Sequence, residues 1–177
     1  MKRKDIKGLI AEYFFINPTA RLRVRQIERE LGLPLPSVIN YVKELEKDGI
    51  LQKKQMANVV FISADMESSS FLLEKKLFNI KKLYSCGLIN FLSSELSNPS
   101  IIVFGSFAKC EDVEDSDIDL YIETHSKMSP SLERFERILK RKIQIFKYPT
   151  IKKVPNLHLA NNIINGVLLN GFVEVFT

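Results

Sequence analysis

At 177 residues the chain can bury one good core or two compact ones, and its apolar share of 45% and charged share of 27% are ordinary for a soluble globular protein. It has no internal repeat and no low-complexity linker, and no apolar run approaches the ~20 residues that span a bilayer. The formal charge of +5 suits a nucleic-acid partner or an anionic substrate without choosing between them, because net charge governs association rather than fold.

Cys86 and Cys110 are far apart and lack histidines at metal-site spacing, which argues against a disulfide framework or a zinc site and for a reducing cytosol. The start, Met1-Lys2-Arg3-Lys4-Asp5, is basic, but no signal-peptide core follows: Leu9 to Ile16 is too short and carries Glu12. A cytoplasmic, soluble protein with no membrane partner is expected.

The period then changes along the chain. Lys4 to Ile16 predicts a helix with Ile6, Leu9, Ile10, Tyr13 and Phe14 on one face, ended by Asn17-Pro18. A second helix spans Val24 to Leu31 and stops at Gly32; a third runs from Ser37 to Lys47 with Val38, Val42 and Leu45 inward, closed by Asp48-Gly49. Two strands follow, Ile50 to Gln55 and Val59 to Ser63, around a turn at Met56-Ala57-Asn58. In this order of elements, and in the stretches Arg25 to Leu33 and Ser37 to Leu51, the first 65 or so residues resemble the winged-helix regulators of archaea and bacteria. That resemblance implies a third helix that enters the DNA major groove, with Ser37, Asn40, Tyr41 and Lys47 outward. Arg21, Arg23 and Arg25, with Lys53 and Lys54 on the wing, would meet phosphates. The alternative is a solvated basic face on a protein-interaction module, and Glu44, Glu46 and Asp48 weigh on that side.

From Ser69 to Leu96 the pattern is helical, with Cys86-Gly87 kinking or dividing it. Lys75, Lys76, Lys81 and Lys82 are expected on its wet side, and a role in a homodimer is left open. The expected division is 1–66, a helical connector over 67–97, and a C-terminal domain over 98–177.

Asn98-Pro99 breaks the helix, and Ser100 to Phe104 reads as a buried strand running into Gly105-Ser106-Phe107-Ala108-Lys109. An acidic loop, Glu111 to Asp115, leads to Ser116-Asp117-Ile118-Asp119-Leu120-Tyr121-Ile122-Glu123. Strand alternation projects Asp117 and Asp119 together while Ile118 and Leu120 enter the core. Paired carboxylates repel each other unless a cation lies between them, and their hard oxygens suit Mg²⁺ or Mn²⁺. Gly105 lets a phosphate approach the backbone, and Ser106 can donate to it near a helix start. A phosphate cradle beside metal carboxylates is equipment for nucleotidyl transfer.

Gly105 to Glu123 is similar to the signature of the minimal nucleotidyltransferases, a branch of the DNA polymerase β-like superfamily. The resemblance implies an α/β (α+β) domain with a mixed sheet, which with the winged helix gives the expected fold. It also implies ATP or another nucleoside triphosphate as substrate, Asp117 and Asp119 as catalytic metal ligands, and transfer of a nucleoside monophosphate to a hydroxyl. Gly105, Ser106, Lys109 and Ser116 are the candidate nucleotide-binding residues. The family's third carboxylate, from a later strand, falls on Gln144 in Lys142-Ile143-Gln144-Ile145-Phe146, after a helix over Leu132 to Arg141. An amide is a weaker ligand and cannot act as a general base. Cys110 stands where the family often has glycine, and Glu123 shares the aspartates' face two positions further on. Three readings stay open: a slow transferase, a nucleotide sensor without turnover, or a relic site in a DNA-binding regulator. The lean is to the enzyme. Resemblance to the antitoxin-like members implies a small helical HEPN-type partner protein.

Leu157, Ala160, Ile163 and Ile164 predict a last helix, and Val167 to Leu169 with Phe172 to Phe176 predict closing strands around Asn170-Gly171. His125 and His158 each stand alone and are read as structural or surface residues, and the twelve phenylalanines as packing.

Overall fold

Apolar residues recurring at three and four in one stretch, and at two in another, build a mixed α/β protein in the computed structural model, which describes residues 5–176. The chain divides into two compact units, Met1–Phe78 and Asn79–Thr177.

In the first unit, helices α1 (Ile6–Ile16), α2 (Val24–Leu31) and α3 (Leu35–Lys47) precede a hairpin of β1 (Leu51–Met56) and β2 (Val59–Ala64). The predicted start of α1 at Lys4 lies outside the described residues; Asp5 caps the helix by accepting from the Gly8 N–H at 2.9 Å. α2 ends at Gly32 in the left-handed region, as the glycine stop predicts. α3 begins two residues before the expected Ser37, because Pro36 is tolerated in a first turn whose N–H groups need no helical partner. Ile10, Phe14, Ile27, Val38, Val42, Leu45, Leu51 and Ile62 form the core. Leu22 adds a bridge that the sequence pattern did not announce, exchanging backbone hydrogen bonds with Ile62 at 3.0 and 2.7 Å.

The helical stretch after the hairpin is two helices, α4 (Ser69–Ser85) and α5 (Leu88–Glu95), divided at Gly87 with φ +83°. Its side chains divide between the two cores. Phe71 and Phe78 pack in the first core, and Ile80, Leu83, Leu88 and Leu92 in the second. Lys75, expected on the wet side with Lys76 and Lys81, is instead fully buried.

The second unit holds a four-stranded sheet in the order β5-β4-β3-β6: β3 (Ser100–Phe104), β4 (Ile118–Glu123), β5 (Ile143–Tyr148) and β6 (Val167–Asn170). β4 runs antiparallel to β3 and parallel to β5, and β6 runs antiparallel to β3. Helices α6 (Gly105–Lys109), α7 (Glu133–Leu139) and α8 (Leu157–Ile164) complete it. One face of the sheet packs Ile101, Val103, Ile118, Leu120 and Ile122 against α4, α5 and α7; the other packs Ile102, Phe104 and Tyr121 against Ile151, Val154 and Ile163.

The closing hairpin is overturned. After β6, residues 172–176 form no strand. The Asn170 amide donates to Asn98 Oδ1 at 2.9 Å and to the Pro99 carbonyl at 2.7 Å, and Ser100 Oγ bonds both the N–H and the carbonyl of Phe172. These bonds hold the chain against the start of β3 instead of letting it fold back along β6. Phe172 and Phe176 consequently stay 70% and 93% exposed, against the expectation that every phenylalanine packs.

Candidate nucleotide and metal site

β3 is buried from Ile101 to Phe104 and delivers Gly105 to the start of α6 with φ +70°, a backbone that glycine adopts without strain. The reason for glycine is also spatial. A Cβ there would lie 2.3 Å from Asp119 Oδ2, so the carboxylate occupies the space a side chain would take. Register explains the proximity: Asp119 pairs with Phe104 on one side and with Gln144 on the other. Asp117 is exposed just before β4, one residue short of the strand expected to include it. Asp119 is half-buried, and burial first, then the charge of Asp117, push its carboxyl above the ordinary carboxylate value.

The residues fit a divalent cation in two respects. Their donors are hard oxygens whose mutual repulsion a cation relieves, and Asp119 fills a cradle that only glycine leaves open. Among the described residues no group of three His, Cys, Asp or Glu side chains is placed to share a metal. Gln144 stands exposed beside Asp119 where a third carboxylate would complete such a set. Glu123 does not replace it: its Oε2 accepts from the Tyr121 hydroxyl at 2.7 Å and from the Ile151 N–H at 2.9 Å.

The other nucleotide candidates divide. Ser106 is half-buried in the first turn of α6, and Lys109 is exposed at its end. Ser116 is used locally, its Oγ accepting from the Val113 N–H at 2.9 Å while its own N–H donates to the Val113 carbonyl at 3.1 Å. Cys110, where glycine was expected, adopts φ +64° as the cap of α6.

Sequence reasoning missed the group that holds this loop. Asp112, read as one acid in a run of acids, is 1% exposed and meets Arg141 Nη2 at 3.1 Å. The Asn79 amide donates to Asp112 Oδ1 and to the Phe107 carbonyl, each at 3.1 Å, and Arg141 also donates to the Val113 carbonyl. Asn79 therefore ties α6 to the loop, and Arg141 ties the loop to the start of β5. Nothing in the local pattern distinguishes Asp112 from Glu111 or Asp115. Two surface concavities of about 430 and 590 Å³ lie elsewhere, the first beside α7 and the second between residues 96–100 and 123–126. Neither is lined by Gly105 or the aspartates.

In the first unit Arg23, Arg25, Asn40, Lys47, Lys53 and Lys54 are exposed, and Ser37 and Tyr41 are half-buried on α3. The acids that weighed against DNA are paired: Lys7 meets Asp48 at 2.8 Å and Glu44 at 3.2 Å, and Glu46 pairs with Lys53. Arg23 lies 5.9 Å from the centre of the Phe61 ring.

Residues 85–164 match the family model described as the nucleotidyltransferase domain. No curated protein and no solved structure matches the chain. Among the described residues no helix is long and apolar enough to cross a membrane. The stretch that contains Gly105, Ser106, Asp117 and Asp119 is thus similar to a nucleotidyltransferase domain.

Proposed function

We propose that the protein is a metal-dependent nucleotidyltransferase that moves a nucleoside monophosphate from a nucleoside triphosphate, such as ATP, to a hydroxyl acceptor, and that its N-terminal unit is a DNA-binding winged helix. The observation that carries the enzymatic half is the Asp119 carboxylate seated against Gly105, within a stretch similar to nucleotidyltransferases. Asp117 and Asp119 would hold Mg²⁺ or Mn²⁺, which when bound supplies charge neutralisation at the triphosphate. The Gly105 backbone and Ser106 would bind phosphate oxygens, and Lys109 would add positive charge nearby. The acceptor hydroxyl attacks the α-phosphorus and gives its proton to water, the bond to the bridging oxygen breaks, and pyrophosphate leaves. A HEPN-type partner protein would be one such acceptor.

The order helix, bridge at Leu22, two helices and hairpin supports the winged-helix reading, and the exposed Arg23, Arg25, Asn40, Lys47 and Lys54 support a DNA partner. Reduced Cys86 and Cys110 fit a cytoplasmic setting. A second reading, an inactive or weak transferase domain in a transcriptional regulator, is favoured by Gln144 beside Asp119.

Calorimetric titration of ATP with Mg²⁺ into the wild type and into Asp117→Asn/Asp119→Asn tests the site. Metal-dependent binding lost in the double variant supports it, and absence of binding with ATP, GTP, CTP and UTP refutes it. Transfer of labelled nucleotide to a co-purified target, raised by Gln144→Asp, separates the enzyme from the inactive regulator.

A further inference from the structure

On the transferase reading, strand order fixes the side from which the acceptor comes. β3, β4 and β5 are neighbours, and the end of β3 lies beside the starts of β4 and β5: Phe104 pairs with Asp119, and Asp119 with Gln144. Gly105 and Ser106 follow β3, so the triphosphate lies on the β3 side of the aspartates. The attacking and leaving oxygens of such a displacement stand in line on opposite sides of the phosphorus. The acceptor hydroxyl therefore enters from the β5 side.

The chain that leads into β5 is cationic. Residues 133–142 hold Arg134, Arg137, Lys140, Arg141 and Lys142 against two acids, Glu133 and Glu136. All but Arg134 line the concavity of about 430 Å³ beside α7. The Lys142 carbonyl accepts from the Ile118 N–H at 2.8 Å, so the rim of that concavity stands one strand away from Asp117. Part of the charge is used locally: Arg141 meets Asp112 at 3.1 Å, and Lys142 meets Glu136 at 3.2 Å. Arg137 and Lys140 are exposed and form no ion pair among the described residues. Lys140 caps α7 at φ +54°, so a cation stands in the left-handed region where glycine is the ordinary residue.

We propose that the acceptor is the 3′ end of a single-stranded polynucleotide, with its backbone phosphates on Arg137 and Lys140 and its terminal hydroxyl directed past Gln144 to the aspartates. A concavity of about 430 Å³ has the size of a pocket for one small ligand, so it admits a strand end rather than a duplex. The 3′ oxygen bonds to the α-phosphorus and gives its proton to water, pyrophosphate leaves, and the strand is longer by one nucleotide. The proposal rests on the transferase reading, but the cationic surface takes the strand without a triphosphate, so the two are tested apart.

The test is fluorescence anisotropy of single-stranded RNA and DNA oligonucleotides, each titrated with the full chain across a range of salt and without triphosphate. Arg137→Gln/Lys140→Gln should weaken binding at least ~10-fold and lower the slope of log affinity against log salt by about 1.4, the share of two phosphate contacts on a single strand. Arg137→Lys/Lys140→Arg, which keeps both charges, should stay within about threefold of the wild type. Lys54→Ala on the wing should change nothing. Calorimetry of Mg²⁺–ATP should read the same for the wild type and the glutamine variant. With labelled triphosphate and Mg²⁺, a strand ending in a 3′-hydroxyl should be extended, and one ending in a 3′-phosphate should not. Binding of neither oligonucleotide, binding indifferent to the glutamine pair, loss on Lys54→Ala instead, or label on a protein rather than on the strand overturns the proposal. Intact Mg²⁺–ATP binding alongside any of these leaves the transferase reading standing, whereas its absence from the wild type sinks that reading and the acceptor with it.

Discussion

Replacing Asp112 by alanine removes the acceptor around which the loop before β4 is built. Asp112 and Arg141 have side chains only 1% and 5% exposed, so the variant leaves a guanidinium buried without its carboxylate. The Asn79 amide loses its Asp112 acceptor as well. Breaking a buried pair from one side costs ~3–5 kcal/mol, a large part of the 5–15 kcal/mol that holds a domain. Because the chain has two units, a single melting temperature is the wrong measure. Hydrogen exchange of the β3 and β4 amides reads the second unit directly, and their opening free energy should fall by that amount. Replacing both partners, Asp112→Leu with Arg141→Met, should cost at least ~2 kcal/mol less than the sum of the single changes, since neither member of this pair is then left facing the other's absence. Below the melting range, Asp112→Ala should also weaken Mg²⁺–ATP binding, because the loop that Asp112 holds runs directly into Asp117. Single variants costing under ~1 kcal/mol, with an additive double, would refute the reasoning.

Gly105→Ala should lose nucleotide binding and cost upward of ~1–2 kcal/mol, from the left-handed backbone alone, before the overlap with Asp119 is counted; denaturation and calorimetry check both. For Asp119 the pKa is raised, so the folded state holds a proton that the unfolded state gives up, and stability falls as pH rises from the unfolded carboxylate value through the raised one. Asp119→Asn should therefore raise the opening free energy of the β3 and β4 amides at pH 7 without metal and leave it unchanged well below the carboxylate range. An equal loss at both pH values contradicts this. In DNA binding, Lys54→Ala should reduce the slope of log affinity against log salt by ~1, and Lys53→Ala by less, because Lys53 is already paired with Glu46. Equal slopes for the two variants would count against that ion pair persisting on DNA.

Much of the architecture was legible in local pattern. Helix faces at Val38, Val42 and Leu45 and the alternation at Ile118 to Ile122 need only neighbours in sequence, and so do the stops at Gly32 and Gly87. Gly105-Ser106, the ten-residue gap and the Asp-x-Asp stretch were visible as spacing, and their meaning came from resemblance. The closing hairpin failed because Asn170-Gly171 is a turn signal only if no distant group competes for the backbone that follows, and here Ser100 does.

What the sequence determined by itself was therefore most of the elements and their order, since these follow from short-range sterics and from side-chain type. The tertiary structure alone decided which charges are buried. Lys75 and Asp112 look like any surface charge in a polar run, and only the packing of remote segments took them out of water. It also decided that glycine at position 105 makes room for a carboxylate fourteen positions along, because that contact exists only once β3 and β4 are in register.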